Sequence, residues 1–276
     1  MLLRHDPEGP PEVARLRRRQ RRNWDRVAAA MPDFSTAPST LYYRRCEIAM
    51  LRRELGSLAG RRVLKLDLWN EAINTRILHW MESEGAEVVG LDHSPVVAGR
   101  ALRNSRQRGS AAGILRADIR ELPFADDSFD FVYTMGTIEH IDEYRQAVAE
   151  VRRVLRPGGQ TIIGVPDKWN VFLRPLMVAV LDVFGMYHYS PEKSFGAGEL
   201  RRVIEGAGLR VRTRTGILAL PGLVRMADLF LHSRGLPGAA LMRLLIRPFD
   251  FFETRYRWPG YFGYLLTMVA EKPADS

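Results

Sequence analysis

The spacing of apolar residues predicts alternating strands and helices from residue 61 onward. Residues 63–68 form a short apolar strand, apolar positions at helical spacing over 70–81 predict a helix, and residues 86–91 form a second strand. Such a βαβ unit binds its ligand at the carboxyl ends of the strands. Here those ends are the loop at Asp67 and the carboxylate of Asp92. Because one carboxylate can accept from two ribose hydroxyls, the layout predicts a nucleotide-type site.

The same alternation continues along the chain. Ser94 is a predicted N-cap with Pro95 at the first helical position. Further strands are predicted at 112–117, 129–134, 161–165, 209–217 and 264–270, and further helices at 142–155 and 199–206. The pattern therefore predicts an α/β fold with a doubly wound, mostly parallel, seven-stranded sheet.

Three regions follow from these boundaries. Residues 1–22 are predicted to be a flexible basic arm, residues 23–60 two N-terminal helices, and residues 61–272 the main domain. Within that domain, 168–195 and 218–262 are apolar, helical insertions rich in Leu, Met and aromatic residues. They are expected to cap the strand ends, either as additional core or as a pocket for an apolar acceptor.

Composition narrows the classes of protein. The chain has one cysteine, Cys46, among 276 residues, which excludes a disulfide framework and favours a cytoplasmic setting. We also expect contact at a membrane surface. The N-terminus lacks a secretory signal, and no apolar run is long enough to span a bilayer. The net charge of +9 is almost wholly arginine, clustered at residues 15–22. Such an arm either contacts nucleic acid or anionic lipid or is a solvated terminus; we favour the latter and do not expect a nucleic-acid partner.

Four segments carry a resemblance to a known family. They are VVGLD (88–92), ADIRELPFADDSFDFV (117–132), TMGTIEHI (134–141) and VLRPGG (154–159). In this order they resemble the class I S-adenosylmethionine-dependent methyltransferases, especially the small-molecule and quinone C-methyltransferases. The resemblance covers about 60–166 and, more loosely, 199–217.

That resemblance implies S-adenosylmethionine as cofactor and a role for particular residues. The cofactor-binding residues would be Asp92 and His93 at the ribose, Asp118 and Ile119 at the adenine, and Thr134, Met135 and Gly136 at the methionyl arm. Asp92 and Asp118 could instead each cap the helix or turn that follows.

The first loop departs from the family's pattern of an acidic residue followed by alternating glycines. Lys65 holds the acidic position, and Asp67, Trp69 and Glu71 hold the glycine positions. In one interpretation Asp67, Leu68, Trp69 and Asn70 form a different cradle for the methionyl arm. In the other, cofactor binding has been lost. Lys65 is also a candidate to neutralise Asp67 or Asp92.

The chemistry rests on few side chains. Methyl transfer depends largely on alignment and desolvation. His140 is the candidate base, or else a packed histidine, and His188 is a poorer second candidate. No metal-ligand spacing appears. The sequence predicts methyl transfer to a small, apolar metabolite or lipid-like acceptor; the alternative is a catalytically silent protein that binds a partner. It predicts no oligomeric state.

Overall fold

A computed structural model describes residues 11–170 and 193–274. The strands are β1 Arg62–Leu66, β2 Glu87–Asp92, β3 Gly113–Arg116, β4 Phe129–Met135, β5 Leu155–Pro166, β6 Arg210–Ile217 and β7 Leu265–Glu271. The helices are α1 Pro11–Ala30, α2 Pro38–Leu55, α3 Trp69–Ile73, α4 Ile77–Ser83, α5 Pro95–Gln107, α6 Tyr144–Val154, α7 Ala197–Gly206, α8 Gly222–Ser233 and α9 Ala239–Arg255. Two 3-10 helices span Ile138–His140 and Trp258–Phe262.

The strands form one sheet of seven in the order β3-β2-β1-β4-β5-β7-β6. The pairs from β3 to β5 are parallel, and β7 runs antiparallel to both β5 and β6. This confirms the predicted doubly wound, mostly parallel α/β sheet. The chain order reverses between β1 and β4, so their carboxyl ends flank the crevice in which open α/β sheets bind ligands.

A hydrophobic core covers each face of the sheet. Alternate residues of a strand point to opposite faces, so Val63 joins one core while Leu64 and Leu66 join the other. The first core includes α2, α4 and α5, and the second includes α6 and α7. Apolar runs buried on both faces are what a parallel sheet between two helical layers requires.

The structure differs from the expected elements in three places. Residues 11–22 are helical and continue into α1, where a flexible arm was predicted. The single helix predicted over 70–81 is divided into α3 and α4, because Arg76 adopts a left-handed conformation (φ 54°) and its amide joins that of Asn74 on the Asn70 carbonyl. Strand β5 begins at Leu155 rather than Thr161, because Gly158 and Gly159 already pair with Lys272.

The insertion at 218–262, which we call the cap, packs on α2 beside the carboxyl edge of the sheet. It leaves from the end of β6 and returns at the start of β7, where Leu265 pairs with Pro166. Glu253 of α9 anchors it to α2 by accepting from the Tyr42 hydroxyl, and it also accepts from the amides of Leu218 and Ala219. The predicted insertion at 168–195 lies mostly outside the described residues.

Candidate functional site

The loop after β1 holds an aspartate in a conformation that glycine usually adopts. Asp67 has φ 76°, and aspartate is one of the few residues with a side chain that occupy this region without large strain. The Leu68 side chain then packs onto Gly90 of β2, where an added Cβ would lie 2.5 Å from Leu68 Cδ2. The loop therefore keeps a glycine-like backbone at one position and fills neighbouring space with a side chain.

Lys65 lies fully buried beneath this loop. Its Nζ donates to the Asp67 carbonyl at 2.7 Å and lies 3.5 Å from Asp67 Oδ1 and 3.9 Å from Glu71 Oε1. Burial would lower the pKa of Lys65, but the charges of Asp67, Glu71 and Glu47 outweigh it and raise the pKa. Lys65 therefore stays protonated and pairs with Asp67, one of the two partners considered from the sequence.

Asp92 binds the loop to the second strand. Its Oδ2 accepts from the Leu68 amide at 2.9 Å and its Oδ1 from the Ser94 amide at 2.8 Å. Burial raises the pKa of Asp92 to about 7, against the effect of these two amides. The carboxylate thus positions the loop, and each oxygen keeps a second lone pair that can accept from a ligand hydroxyl.

Asp118 is held by an ion pair with its near neighbour Arg120. Arg120 Nε and Nη2 donate to the two carboxylate oxygens at 2.8 and 2.6 Å, and its Nη1 donates to Glu143. Burial would raise the pKa of Asp118, but the hydrogen bonds and charge of Arg120 hold it below its usual value. The adjacent Ile119 is buried. Asp118 therefore stays ionised at the end of β3.

His93 completes the cluster on this side. Its Nδ1 lies 3.6 Å from Asp92 Oδ1, and its buried Nε2 has no hydrogen-bond partner. Burial lowers the pKa of His93 to about 4, so the imidazole is neutral at pH 7. The unpaired nitrogen is a polar atom that a bound ligand could satisfy.

A chain of hydroxyls joins the end of β4 to the first loop. Thr134 Oγ1 donates to Thr137 Oγ1 at 2.9 Å, and Thr137 Oγ1 donates to Asp67 Oδ2 at 2.8 Å. Met135 is buried, and Gly136 turns the chain at φ 80°. Sequence reasoning missed Thr137, although it stands in the same TMGT segment as the residues that were singled out.

Helix α1 covers the strand ends. Trp24 makes edge-on contacts with Trp69 and His140, with ring centroids 5.4 and 4.9 Å apart. Gln20 donates to the His140 carbonyl, and Asp25 accepts from the Ser94 hydroxyl. Gln20 lies in the segment predicted to be a flexible arm, whereas Trp24 and Asp25 lie in the predicted N-terminal helices. Apolar spacing does not predict which site residues these side chains contact.

The structure thus brings most of the predicted residues together, but not Asn70, and His188 lies outside the described residues. Asp67, Leu68, Trp69, Asp92, His93, Thr134 and His140 are linked by these contacts, and Asp118 lies close enough to affect the pKa of His93. Asn70 turns away, since its amide group contacts Tyr43 and Asn74. Which of them contact a cofactor stays a prediction.

Comparison with known proteins identifies the family. Residues 73–163 match the family described as a methyltransferase domain. The demethylmenaquinone methyltransferase of Thermus thermophilus is 34% identical over 144 residues, which cover 46% of this chain and 66% of that relative. Residues 73–163 form a methyltransferase domain of the class I, S-adenosylmethionine-dependent kind, and the chain covers just under two thirds of the length of this curated relative.

Solved structures share this methyltransferase's fold. The 4+2 cyclase SpnF has a TM-score of 0.59 at 17% identity, covering 83% of this chain and 80% of that one. The magnesium protoporphyrin IX methyltransferase of Synechocystis PCC 6803, solved with bound SAH, has a TM-score of 0.56 at 12% identity, covering 91% and 93%. At these identities the likeness shows the fold alone.

S-adenosylmethionine is the cofactor of this family, and the residues at the strand ends fit it. Asp92 has free lone pairs, and the unpaired His93 Nε2 lies beside it. Asp67 is held by Lys65 and Asp118 by Arg120, so these two carboxyl groups have fixed positions at the strand ends. The first loop keeps the glycine-like φ at Asp67.

Proposed function

We propose that this methyltransferase transfers a methyl group from S-adenosylmethionine to a small, apolar acceptor. The observation that carries the proposal is Asp92, whose carboxylate is fixed by the Leu68 and Ser94 amides beside the unpaired His93 Nε2. The resemblance implies an acidic residue at this position for the ribose hydroxyls, and the chain has one in Asp92 although its glycine loop is altered.

We assign a role in holding the cofactor to each predicted binding residue except Asn70. Asp92 would accept hydrogen bonds from the ribose hydroxyls, and His93 would pack against the ribose. Asp118 and the Ile119 amide would hold the adenine. Asp67, fixed by Lys65 and Thr137, would face the methionyl ammonium in place of a glycine loop. Leu68, Trp69, Thr134, Met135 and Gly136 would line the remaining wall.

When bound, the cofactor supplies an activated methyl group on its sulfonium. The protein's part is to align the acceptor and exclude water, since an in-line displacement gains most from orientation and desolvation. Trp24 packs its indole ring against both Trp69 and His140, and this contact would exclude water from that part of the crevice. His140 would accept the proton of an acceptor that must lose one.

The acceptor class rests on two features. The curated relative named above acts on demethylmenaquinone by its name, and the insertion at 218–262 adds exposed aromatic residues to the carboxyl edge of the sheet. We therefore propose a quinone-like or other lipid-soluble ring as acceptor, met in the cytoplasm at a membrane surface. Nucleic acid is not the acceptor that we propose.

Calorimetric titration with S-adenosylhomocysteine tests the cofactor step. We expect binding in the micromolar range, equivalent to about 8 kcal/mol, and at least about tenfold weaker binding by Asp92→Ala. Asp126→Ala is the matched control, because Asp126 is exposed and forms a surface ion pair with Arg153. Equal binding by all three proteins would contradict the assignment.

A catalytically silent binding protein is the second candidate. The departures at Lys65, Asp67 and Trp69 favour it, as does the Asp67–Thr137 hydrogen bond across the crevice. Folded protein that binds no S-adenosylhomocysteine would establish this alternative, and a radiolabelled methyl-transfer assay with demethylated quinones separates binding from turnover.

A further inference from the structure

We propose that the outward surface of α9 docks on an anionic lipid bilayer. The outer face consists of five exposed residues of α9 and two of the following 3-10 helix: Leu241, Leu244, Leu245, Phe251 and Phe252, with Trp258 and Phe262. The proposal rests on the proposed function only in that a lipid-soluble acceptor would be met at such a surface. Bilayer binding itself requires neither cofactor nor acceptor.

Helix α9 has a docked side and an apolar exposed side. Met242, Ile246 and Glu253 are buried on the side that meets α2. On the outer face Leu244 is 65% exposed and Phe251 46% exposed. The helix is therefore already packed on the protein through its buried side. Its outer apolar face is a separate surface that the fold of the protein does not require. Soluble proteins rarely expose so many large apolar residues together without a binding role.

The aromatic residues of the outer face form a continuous ridge. The ring centroids of Phe252 lie 5.3 Å from those of Phe251 and 6.2 Å from those of Trp258, which in turn lies 6.5 Å from Phe262. A cavity of about 220 Å³ opens beside them, lined in part by Pro248 and Phe249. Tryptophan and other aromatic residues favour the boundary between headgroups and acyl chains, and such a cavity suits an aliphatic chain.

The charges around the outer face select an anionic surface. Arg243, Arg247 and Arg255 are exposed on the same helix. Both acidic residues of α9 are engaged, Asp250 with Arg45 and Glu253 with Tyr42. Unbalanced arginines beside exposed apolar residues are typical of helices that lie on anionic membranes.

The same charges argue against a second copy of the chain as occupant. A two-fold interface would place the face against itself and bring its arginines into mutual repulsion. In the part of the chain that the structure describes, no helix is long and apolar enough to cross a membrane. The 17 residues of α9 include five charged side chains, so the helix would lie on a bilayer rather than span it.

Co-sedimentation with vesicles tests the proposal on the full chain without cofactor. Vesicles of phosphatidylcholine with phosphatidylglycerol are compared with vesicles of phosphatidylcholine alone. We expect binding to the anionic vesicles that weakens with added salt, and at least about tenfold weaker partitioning for Phe251→Glu/Phe252→Glu and for Arg243→Glu/Arg247→Glu.

The matched control is Arg18→Glu/Arg19→Glu, the same change of charge on the exposed part of α1. It should retain most of the binding, whereas loss in this variant alone would assign the lipid contact to α1 and overturn the proposal. Thermal unfolding and S-adenosylhomocysteine titration verify that the α9 variants are folded. Wild-type protein that ignores anionic vesicles, or that forms a dimer abolished by the same α9 variants, would also overturn it. Failure of methyl transfer alone would affect only the proposed function.

Discussion

Lys65 and Asp67 together replace an acidic residue and a glycine of the family's first loop. Lys65 is fully buried yet protonated, because Asp67, Glu71 and Glu47 surround it. A buried charge of this kind is stable only while its partners remain, and removing one member leaves the others uncompensated. Lys65 and Asp67 therefore depend on each other, because each one neutralises the buried charge of the other.

Lys65→Met should lower the free energy of unfolding by about 3–5 kcal/mol, because it leaves buried carboxylates without a counter-charge. Chemical denaturation monitored by circular dichroism measures this. Lys168→Met, at an exposed position, is the control and should change stability by less than about 0.5 kcal/mol. The double variant Lys65→Met/Asp67→Asn also removes one of the unpaired carboxylates and keeps a residue that tolerates the left-handed backbone, so it should recover part of the loss; no recovery would contradict the coupling.

The pKa of Asp92 predicts a specific pH dependence of stability. Burial raises this pKa from 3.8 to about 7, so the folded protein holds a proton that the unfolded chain releases between those values. The stability contribution is fully present below about pH 4 and is lost as the pH rises through about 7. Asp92→Asn should flatten the fall in unfolding free energy between pH 5 and 7 by up to about 1.4 kcal/mol per pH unit. An unchanged slope in denaturation series would show that Asp92 is already ionised.

At the scale of elements, the fit between the first loop and β2 fixes the crevice. Leu68 lies over Gly90, so this strand position accepts no side chain without displacing the loop. The same contact sets the Leu68 amide in place to donate to Asp92. Packing and hydrogen bonding thus hold the first loop in one conformation. In this chain they take the place of the alternating glycines of the family's pattern.

Gly90→Ala should destabilise the protein by about 1–3 kcal/mol, because its Cβ would lie 2.5 Å from Leu68 Cδ2 and 2.9 Å from Leu78 Cδ1. Gly99→Ala in α5 is the control, since its Cβ would only meet Arg103 at 3.7 Å and alanine favours a helix by about 0.5–1 kcal/mol. Thermal melts compare the two. Equal effects would mean that Leu68 moves freely.

For the whole molecule, a polar anchor joins the cap to the N-terminal helices. Glu253 accepts from Tyr42, Leu218 and Ala219, and Asp228 of α8 accepts from the Ser39 amide. Because α9 exposes its other face, these contacts carry much of the attachment of the cap to the domain.

Glu253→Ala should therefore loosen the cap while the sheet stays folded. Hydrogen exchange is expected to increase across α8 and α9, because Tyr42, Leu218 and Ala219 lose their buried acceptor. Exchange should remain slow in β1, β4 and β5. Asp250→Ala, which removes only an exposed ion pair with Arg45, should leave exchange almost unchanged. Uniformly faster exchange would show that cap and sheet unfold together.

Periodicity by itself determined the seven strands, their mostly parallel arrangement and the acidic residues at their ends, because a sheet buried on both faces requires apolar runs that a linear pattern reveals. The same pattern placed Asp92 and Asp118 beside one crevice, since parallel strands share a carboxyl edge. Periodicity does not reveal the contacts between residues that are distant in the chain. Only the tertiary structure decided that Thr137 bridges to the loop and that α1 brings Trp24 over His140, because these contacts depend on packing between segments far apart in the chain. The pairing of Lys65 with Asp67 is local, and it depends on the left-handed turn at Asp67, which apolar periodicity does not reveal.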